Sequence, residues 1–155
     1  MKKLHHYNSK ICWTGNNGQG THHYNSYKRN LVFSVHNKPG IEISADPAFL
    51  GDAEKYNPEE LFLAALSSCH MLWYLHLCAS NGIVVIQYED DATGTMEEDE
   101  KGGRFTEVIL HPRVTITDSN QTAAANALHE QANAFCFIAN SCNFPVKHQP
   151  VCTYQ

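Results

Sequence analysis

Two of the six cysteines, Cys69 and Cys136, lie in stretches whose composition predicts helices. If two helices pack about 8–10 Å apart, cysteines that face each other can close a disulfide after a modest movement. One thiol that attacks and a second that resolves the product are the minimum equipment for thiol-dependent redox chemistry. Buried cysteines are also common as small packing residues. Spacing alone leaves both interpretations open.

Other cysteine chemistry is less well supported by the spacing. No pair of cysteines is arranged as C-x-x-C, which argues against a zinc knuckle and a thioredoxin-type motif. Four residues near the C-terminus supply enough ligands for tetrahedral zinc, although their spacing matches no zinc motif: Cys136, Cys142, His148 and Cys152. We expect three cysteines to be packing residues, namely Cys12, Cys78 and Cys152.

Length and composition restrict the class of protein. The 155 residues, 43% of them hydrophobic, predict a single domain over residues 1–155 with a real core. A net charge of −5 with scattered Lys and Arg argues against a nucleic-acid partner. No uninterrupted apolar run reaches the roughly 18 residues of a membrane span, and the N-terminus lacks a secretory signal. We therefore expect a cytoplasmic protein, in which thiols stay reduced unless they are catalytic or bind metal.

Residues 3–45 are predicted to form short strands. "ICWTG", "LVFSVHN" and "IEISA" are rich in β-branched and aromatic residues, and the turn-forming stretches "NNGQG" and "NKPG" separate them. A polar loop follows. Asn57 is then a good N-cap, Pro58 suits the first turn, and Asn81-Gly82 stops the helix. The spacing predicts a helix from Pro58 to about Ser80.

This predicted helix is apolar on almost every side. A helix with that pattern is a buried one. A chain of this length has difficulty surrounding such a helix, so we expect a second subunit to cover part of it.

The C-terminal half predicts further strands and a second helix. "IVVIQYEDDATGTMEED" and "TEVILHPRVTI" alternate enough to form an antiparallel pair. An alanine-rich helix begins at Asp118 or Ser119 and carries Cys136, and "FPVKHQPVCTY" is a final strand. The order of these elements predicts an α+β fold.

Two segments resemble the motifs of a known family. "NPEELFLAALSSCH" is similar to the active-site motif of the OsmC/Ohr family of peroxide-reducing proteins, in which a cysteine follows the glutamate by ten positions. "HEQANAFCFIANS" resembles the second motif of that family, and the resemblance spans nearly the whole chain. It implies antiparallel sheets packed around two helices, with one long buried central helix, in an interlocked homodimer.

The resemblance also implies a function. Cys69 corresponds to the peroxidatic cysteine, Cys136 to the resolving cysteine and Glu59 to a supporting carboxylate. The implied activity is reduction of organic hydroperoxides, with hydrogen peroxide as a further candidate, through an intramolecular disulfide. No bound cofactor is implied. Turnover would need an external thiol reductant of the dithiol or lipoyl type.

Helix geometry constrains where Glu59 acts. Ten residues of helix rise about 15 Å, so on a straight helix Glu59 cannot touch Cys69 of its own chain. We expect Glu59 to reach Cys69 of the other subunit, which puts the active sites at the dimer interface.

The chain departs from the family pattern at the cationic residue that would accompany the peroxidatic cysteine. The family uses an arginine that the glutamate orients, but the loop "SADPAFLGDAEKYNP" contains none. We choose Arg29 for this role, with an ordinary surface charge as the alternative and Lys55 as a further candidate. The missing arginine motivates a second hypothesis, an OsmC-fold stress-response or small-molecule-binding protein with weak or no peroxidase activity.

Three smaller expectations concern the residues around the two motifs. His70 points about 100° away from Cys69 around the helix, so we expect it to be structural. Phe137 stands where the family commonly has proline, so the second helix need not break at Cys136. Cys142, six residues later, is a substitute candidate for the resolving thiol.

Overall fold

The N-terminal part of the chain forms a three-stranded antiparallel sheet, as its alternation of strand and turn residues predicts. The computed structural model describes residues 2–155, which divide into two compact units at the Leu61/Phe62 boundary. In the first unit, β1 (Lys10–Trp13), β2 (Leu31–Ser34) and β3 (Ile41–Ile43) follow one another in the sheet.

Helix α1 spans Pro58–Ser80, the bounds that the sequence predicts. Asn57 and Glu60 form a reciprocal cap: the Glu60 N–H donates to Asn57 Oδ1 at 2.8 Å, and the Asn57 N–H donates to Glu60 Oε2 at 3.1 Å. At the other end Gly82 adopts a left-handed conformation with φ of 69°. Both ends of the helix are therefore fixed by local sequence.

The predicted antiparallel pair in the second unit is instead four strands. These are β4 (Val85–Asp90), β5 (Thr93–Asp99), β6 (Gly102–Leu110) and β7 (Pro112–Ile116). Strand β5 pairs with β6 and β4 pairs with β7, both antiparallel, in two different sheets. The chain passes from one sheet to the other after β4 and again between β6 and β7. Asp90 links these two places, because its Oδ1 accepts the His111 N–H at 2.6 Å.

The predicted final strand is also divided. Pro150 lacks an N–H donor and separates β8 (Val146–His148) from β9 (Val151–Tyr154). Strand β8 joins β6 and β9 joins β7, both in parallel, so the sheets are mixed rather than antiparallel throughout. The orders are β4-β7-β9 and β5-β6-β8. The α+β class with two helices is confirmed.

The second helix, α2, spans Thr122–Phe135 and follows a 3-10 turn at Ser119–Gln121. Two clusters of buried side chains fill the second unit. The larger joins the second half of α1 to α2 and β7, through Tyr74, Leu77, Cys78, Ile83, Val114, Ile116, Ala125, Leu128 and Ala132. The smaller gathers Leu66, Val108 and Leu110.

Much of α1 lies at the surface of the single chain. Its most apolar 18 residues have a mean hydropathy of 1.4, and 28% of them are buried. By length and composition this helix is sufficient to cross a membrane, a test that core helices of soluble proteins also pass. The helix is therefore as apolar as predicted, but one chain does not bury it.

We expect Asn57→Ala to lower the free energy of unfolding by about 1 kcal/mol, because it removes the N-cap of α1. Urea unfolding followed by circular dichroism measures the change. Asn57→Ser keeps a capping oxygen and should lose clearly less stability than Asn57→Ala. Equal losses of stability in the two variants would show that the capping oxygen contributes nothing to the free energy of unfolding.

Candidate active site

The structure places Cys69 and Cys136 side by side. Cys69 lies on α1 and is half-buried, whereas Cys136 follows the last residue of α2 and is 1% exposed. The two thiols lie close enough for Cys69 to raise the pKa of Cys136, and neither cysteine is in a disulfide. The pair that the sequence suggested is thus brought together by two different elements of one chain.

The two thiols have unequal surroundings. Burial raises the pKa of Cys136 to about 11, and the contact with Cys69 raises it as well. The Ala139 N–H, 3.4 Å from the Cys136 sulfur, acts in the opposite direction. Because the thiolate is the nucleophilic form of cysteine, Cys136 is poorly suited to attack first at neutral pH.

Cys136 owes its position to the end of α2, which differs from the prediction. The helix does break there without a proline: it ends at Phe135, and Cys136 is extended, with φ of −65° and ψ of 110°. Asn140 explains the break, since its side-chain amide donates to the Ala134 carbonyl at 2.9 Å and its backbone N–H donates to the Cys136 carbonyl at 2.9 Å. A side chain therefore takes over the terminating role.

The other cysteines have different environments. The Cys142 thiol donates to the Ile138 carbonyl at 3.3 Å and packs against the smaller cluster, so Cys136 and not Cys142 is in contact with Cys69. Cys78 is buried and Cys152 packs against the larger cluster, as expected for packing residues. Cys12 lies exposed on β1, so its assignment to the core is wrong.

Arg29 is held by its own loop. Its guanidinium donates to the carbonyls of Tyr24 and Tyr27, both at 2.7 Å, and lies over both rings, 4.3 and 4.2 Å from their centroids. Glu59 is half-buried in the first turn of α1. Within residues 2–155 of a single chain, Arg29 and Glu59 do not form an ion pair.

The further candidate cation, Lys55, is also engaged. It forms an ion pair and hydrogen bond with Glu42, and that hydrogen bond raises its pKa. Neither of the two cations proposed from the sequence is therefore a free charge in the first unit.

A buried histidine pair accompanies the two cysteines, and the sequence argument missed it. His70 Nε2 lies 2.9 Å from His129 Nδ1. The ring centroids are 5.2 Å apart and the planes differ by 8°, so the rings lie edge to edge in one plane rather than stacked. This is the geometry of an N–H···N hydrogen bond between imidazoles. The sequence indicated this pair only by placing one histidine at a core position of each of the two helices.

The pair is enclosed on several sides. Both His70 and His129 are fully buried. The Tyr74 ring stacks on His129 with centroids 3.8 Å apart, and His148 on β8 lies 5.6 Å from His70 and 6.4 Å from His129 between centroids. His148 in turn faces the Glu130 carboxylate at 3.4 Å.

Burial keeps both imidazoles neutral. It lowers the pKa of His70 to about 4, with a further contribution from His148. It lowers the pKa of His129 to about 3, with contributions from His70 and His148. Within residues 2–155, the outer nitrogens, His70 Nδ1 and His129 Nε2, have no hydrogen-bond partner.

The zinc alternative is not supported by this arrangement. In the described part of the chain, no three His, Cys, Asp or Glu side chains are grouped so that they could hold a metal ion. The nitrogens of His70 and His129 point at each other at 2.9 Å, too close for zinc to sit between them with bonds of about 2.0–2.1 Å.

Aromatic side chains lie beside the thiol pair. Phe135 and Phe137 flank Cys136 in sequence, and both rings contact Trp73, with centroids 5.3 and 5.6 Å away. Trp73 also lines a shallow surface groove of about 270 Å³ with Leu72 and His76. On α1 these residues follow Cys69 by three, four and seven positions, so they share its face of the helix.

Comparison with known proteins identifies the family of this chain. Residues 51–150 match the model of the OsmC family, described as OsmC-like protein. The chain belongs to the OsmC-like family. A solved OsmC-like protein of unknown function from Vibrio cholerae is 30% identical, with a TM-score of 0.86, and the match covers 96% of this chain and 100% of that one. No curated protein matches the sequence.

Other OsmC-like folds are more distant in sequence. An organic hydroperoxide resistance protein from Elizabethkingia anophelis is 19% identical, with a TM-score of 0.71 and full coverage of both chains. One from Legionella pneumophila is 20% identical, with a TM-score of 0.69, over 98% of this chain and 99% of that one. These two structures confirm the fold.

We expect the free energy of unfolding to fall as the pH is lowered from about 6.5 towards 4. In that window the unfolded chain binds protons at His70 and His129, whereas the folded chain, with pKa values of about 4 and about 3, does not. Each imidazole then costs up to about 1.4 kcal/mol per pH unit. Above pH 6.5 both states are neutral and the contribution is constant. Urea unfolding at several pH values measures the slope.

The double variant His70→Phe/His129→Phe is the matched comparison, because it removes both titrating groups and keeps ring-sized side chains. Its stability should depend less steeply on pH between 6.5 and 4. The same substitution at exposed His6 controls for the loss of a histidine in general. An unchanged slope in the double variant would contradict the assignment.

Proposed function

We propose that this protein is a thiol-dependent peroxidase that reduces organic hydroperoxides. The observation that carries the proposal is the proximity of a half-buried Cys69 to a buried Cys136 whose pKa is raised. Membership of the OsmC-like family supports a role in peroxide stress. The organic hydroperoxide resistance proteins that share the fold agree with that role.

The first step is attack by Cys69. Its thiolate sulfur bonds to the distal oxygen of the hydroperoxide as the O–O bond breaks. Sulfur loses two electrons and becomes a sulfenic acid. The peroxide gains those electrons, and its alkoxide takes a proton and leaves as an alcohol.

The second step uses Cys136. Its sulfur attacks the sulfenic sulfur of Cys69, an S–S bond forms, the S–O bond breaks, and the hydroxyl leaves as water with the Cys136 proton. Because the two thiols lie close enough to influence each other's protonation, we expect this step to need only a modest movement. An external thiol reductant of the dithiol or lipoyl type then reduces the disulfide by two exchange reactions. No bound cofactor takes part.

The aromatic surroundings favour an organic substrate. Trp73, Phe135 and Phe137 form an apolar surface beside the thiol pair, on which the carbon part of a hydroperoxide can pack. Hydrogen peroxide has no such part and gains nothing from it. We propose hydrogen peroxide as a secondary substrate.

We propose an interlocked homodimer with its active sites at the interface. Leu72, which shares the Cys69 face of α1, is 63% exposed in the single chain, and most of α1 is unburied. A second copy would cover this surface. Glu59 of one protomer would then orient a cation beside Cys69 of its partner, and no nucleic acid or membrane is involved.

Arg29 remains our choice for that cation. The carbonyls of Tyr24 and Tyr27 use two of its five N–H donors and leave three for Glu59 of the other protomer. A cytoplasmic location fits six free cysteines.

We expect one equivalent of an organic hydroperoxide to remove two hydrogens from the wild-type mass. Cys136→Ser should instead gain one or more oxygens, because the sulfenic acid at Cys69 has no partner. Cys69→Ser should be unchanged. Intact mass spectrometry after acid quenching distinguishes the three results.

An unreactive Cys69 in the wild-type protein would reject the peroxidase. It would leave an OsmC-fold stress-response or small-molecule-binding protein, the alternative that the engaged Arg29 favours.

We expect Trp73→Ala to lower kcat/KM for an aromatic hydroperoxide roughly 10-fold, because it removes an apolar contact with the substrate. The value for hydrogen peroxide should change much less. Steady-state assays with both peroxides measure the ratio, and Trp13→Ala on β1 is the control. Equal losses for the two peroxides would exclude Trp73 from substrate selection.

A further inference from the structure

We infer that the hydrogen bond between His70 and His129 positions the two thiols, by fixing α1 against the middle of α2, about two turns before Cys136. The inference rests on the proposed function only because that function assigns the thiol pair a redox role. Both histidines are proposed as positioning residues, because the polar contact that the structure shows for them is with each other.

The placement of the pair relative to the cysteines is the first support. His70 is the immediate neighbour of Cys69 on α1. His129 precedes Cys136 by seven residues, nearly two turns, so the two lie on the same side of α2. Helix α1 thus carries one imidazole and one thiol, and α2 carries the other imidazole and is followed directly by the other thiol. The imidazoles bond to each other, and the thiols lie close together.

The directional character of the bond is the second support. The apolar contacts that join α1 to α2 are non-directional and tolerate small sliding movements. An N–H···N bond with coplanar rings weakens steeply when either helix shifts. Tyr74 stacks on the His129 ring and restrains its plane, and His148 closes the space on the side of β8.

The cost of burying this pair is the third support. Two imidazoles are wholly buried, and each has one nitrogen that bonds to no other group in the described part of the chain. Two apolar side chains would fill the same space without that penalty. A buried polar pair in a core is best explained by a need to specify one alignment, as single polar residues do in coiled coils.

The consequence is a higher effective concentration of one thiol for the other. A misplacement of about 1 Å can lower the rate of a reaction between held groups about 100-fold. Loss of the His70–His129 bond should therefore make the Cys69–Cys136 disulfide harder to close.

The test compares two amide substitutions of His129. Asn places an amide where Nδ1 lies in histidine, whereas Gln carries it one methylene further. We expect His129→Gln to lower the effective concentration of the thiol pair about 10- to 100-fold and His129→Asn to lower it much less. The effective concentration comes from equilibration with reduced and oxidised glutathione, in which the dithiol becomes a disulfide and oxidised glutathione becomes two thiols. Intact mass after alkylation gives the ratio.

Leu128→Ala controls for general destabilisation, because it removes a core side chain next to His129 in sequence. It should lower the thermal midpoint and leave the effective concentration unchanged. If neither His129 variant folds, His70→Gln and His70→Asn provide the reciprocal comparison, with Gln now placing its amide at the Nε2 position.

Three results would overturn the inference: a wild-type effective concentration in His129→Gln, equal losses in His129→Asn and His129→Gln, or a wild-type protein that closes no disulfide. The glutathione measurement needs no peroxide. A protein that closes the disulfide but fails to react with hydroperoxide would thus reject the proposed function and leave the positioning role intact.

Discussion

The proximity of the Cys69 and Cys136 thiols is the constraint on which the candidate site depends. Cys69 is presented by a long helix whose ends are fixed by Asn57 and Gly82. Cys136 directly follows α2 and has an extended backbone, a conformation that Asn140 stabilises. A shift of either element would separate the thiols, so the caps of the helices and the directional His70–His129 bond between them bear directly on the site.

The two sulfurs differ in burial and therefore in accessibility. Cys136 is buried and its pKa is raised to about 11, so it is protonated at neutral pH. Cys69 is more accessible and lies beside the apolar surface of Trp73, Phe135 and Phe137. An organic hydroperoxide bound to that surface would meet Cys69 first. The exposed apolar face of α1 also explains why we propose that the site is completed by a second copy.

Local signals in the sequence predicted the elements that depend on them. The bounds of α1 follow from Asn57, Pro58 and Gly82, and the first sheet follows from its turns. The division of the later strands was missed, because it depends on Asp90 at a crossing between sheets and on parallel pairings distant in sequence. The cysteine pair was found from its two motifs. The His70–His129 bond was not, since a contact across 59 positions leaves no local pattern.

The most direct test of the thiol pair is a disulfide map of the wild-type protein after oxidation with one equivalent of an organic hydroperoxide. Unreacted thiols are alkylated, the chain is digested without reductant, and the linked peptides are identified by mass spectrometry. The account predicts one predominant cross-link, between the peptides that contain Cys69 and Cys136. A predominant link from Cys69 to Cys142, or oxidation that leaves Cys69 as a free thiol, would contradict it.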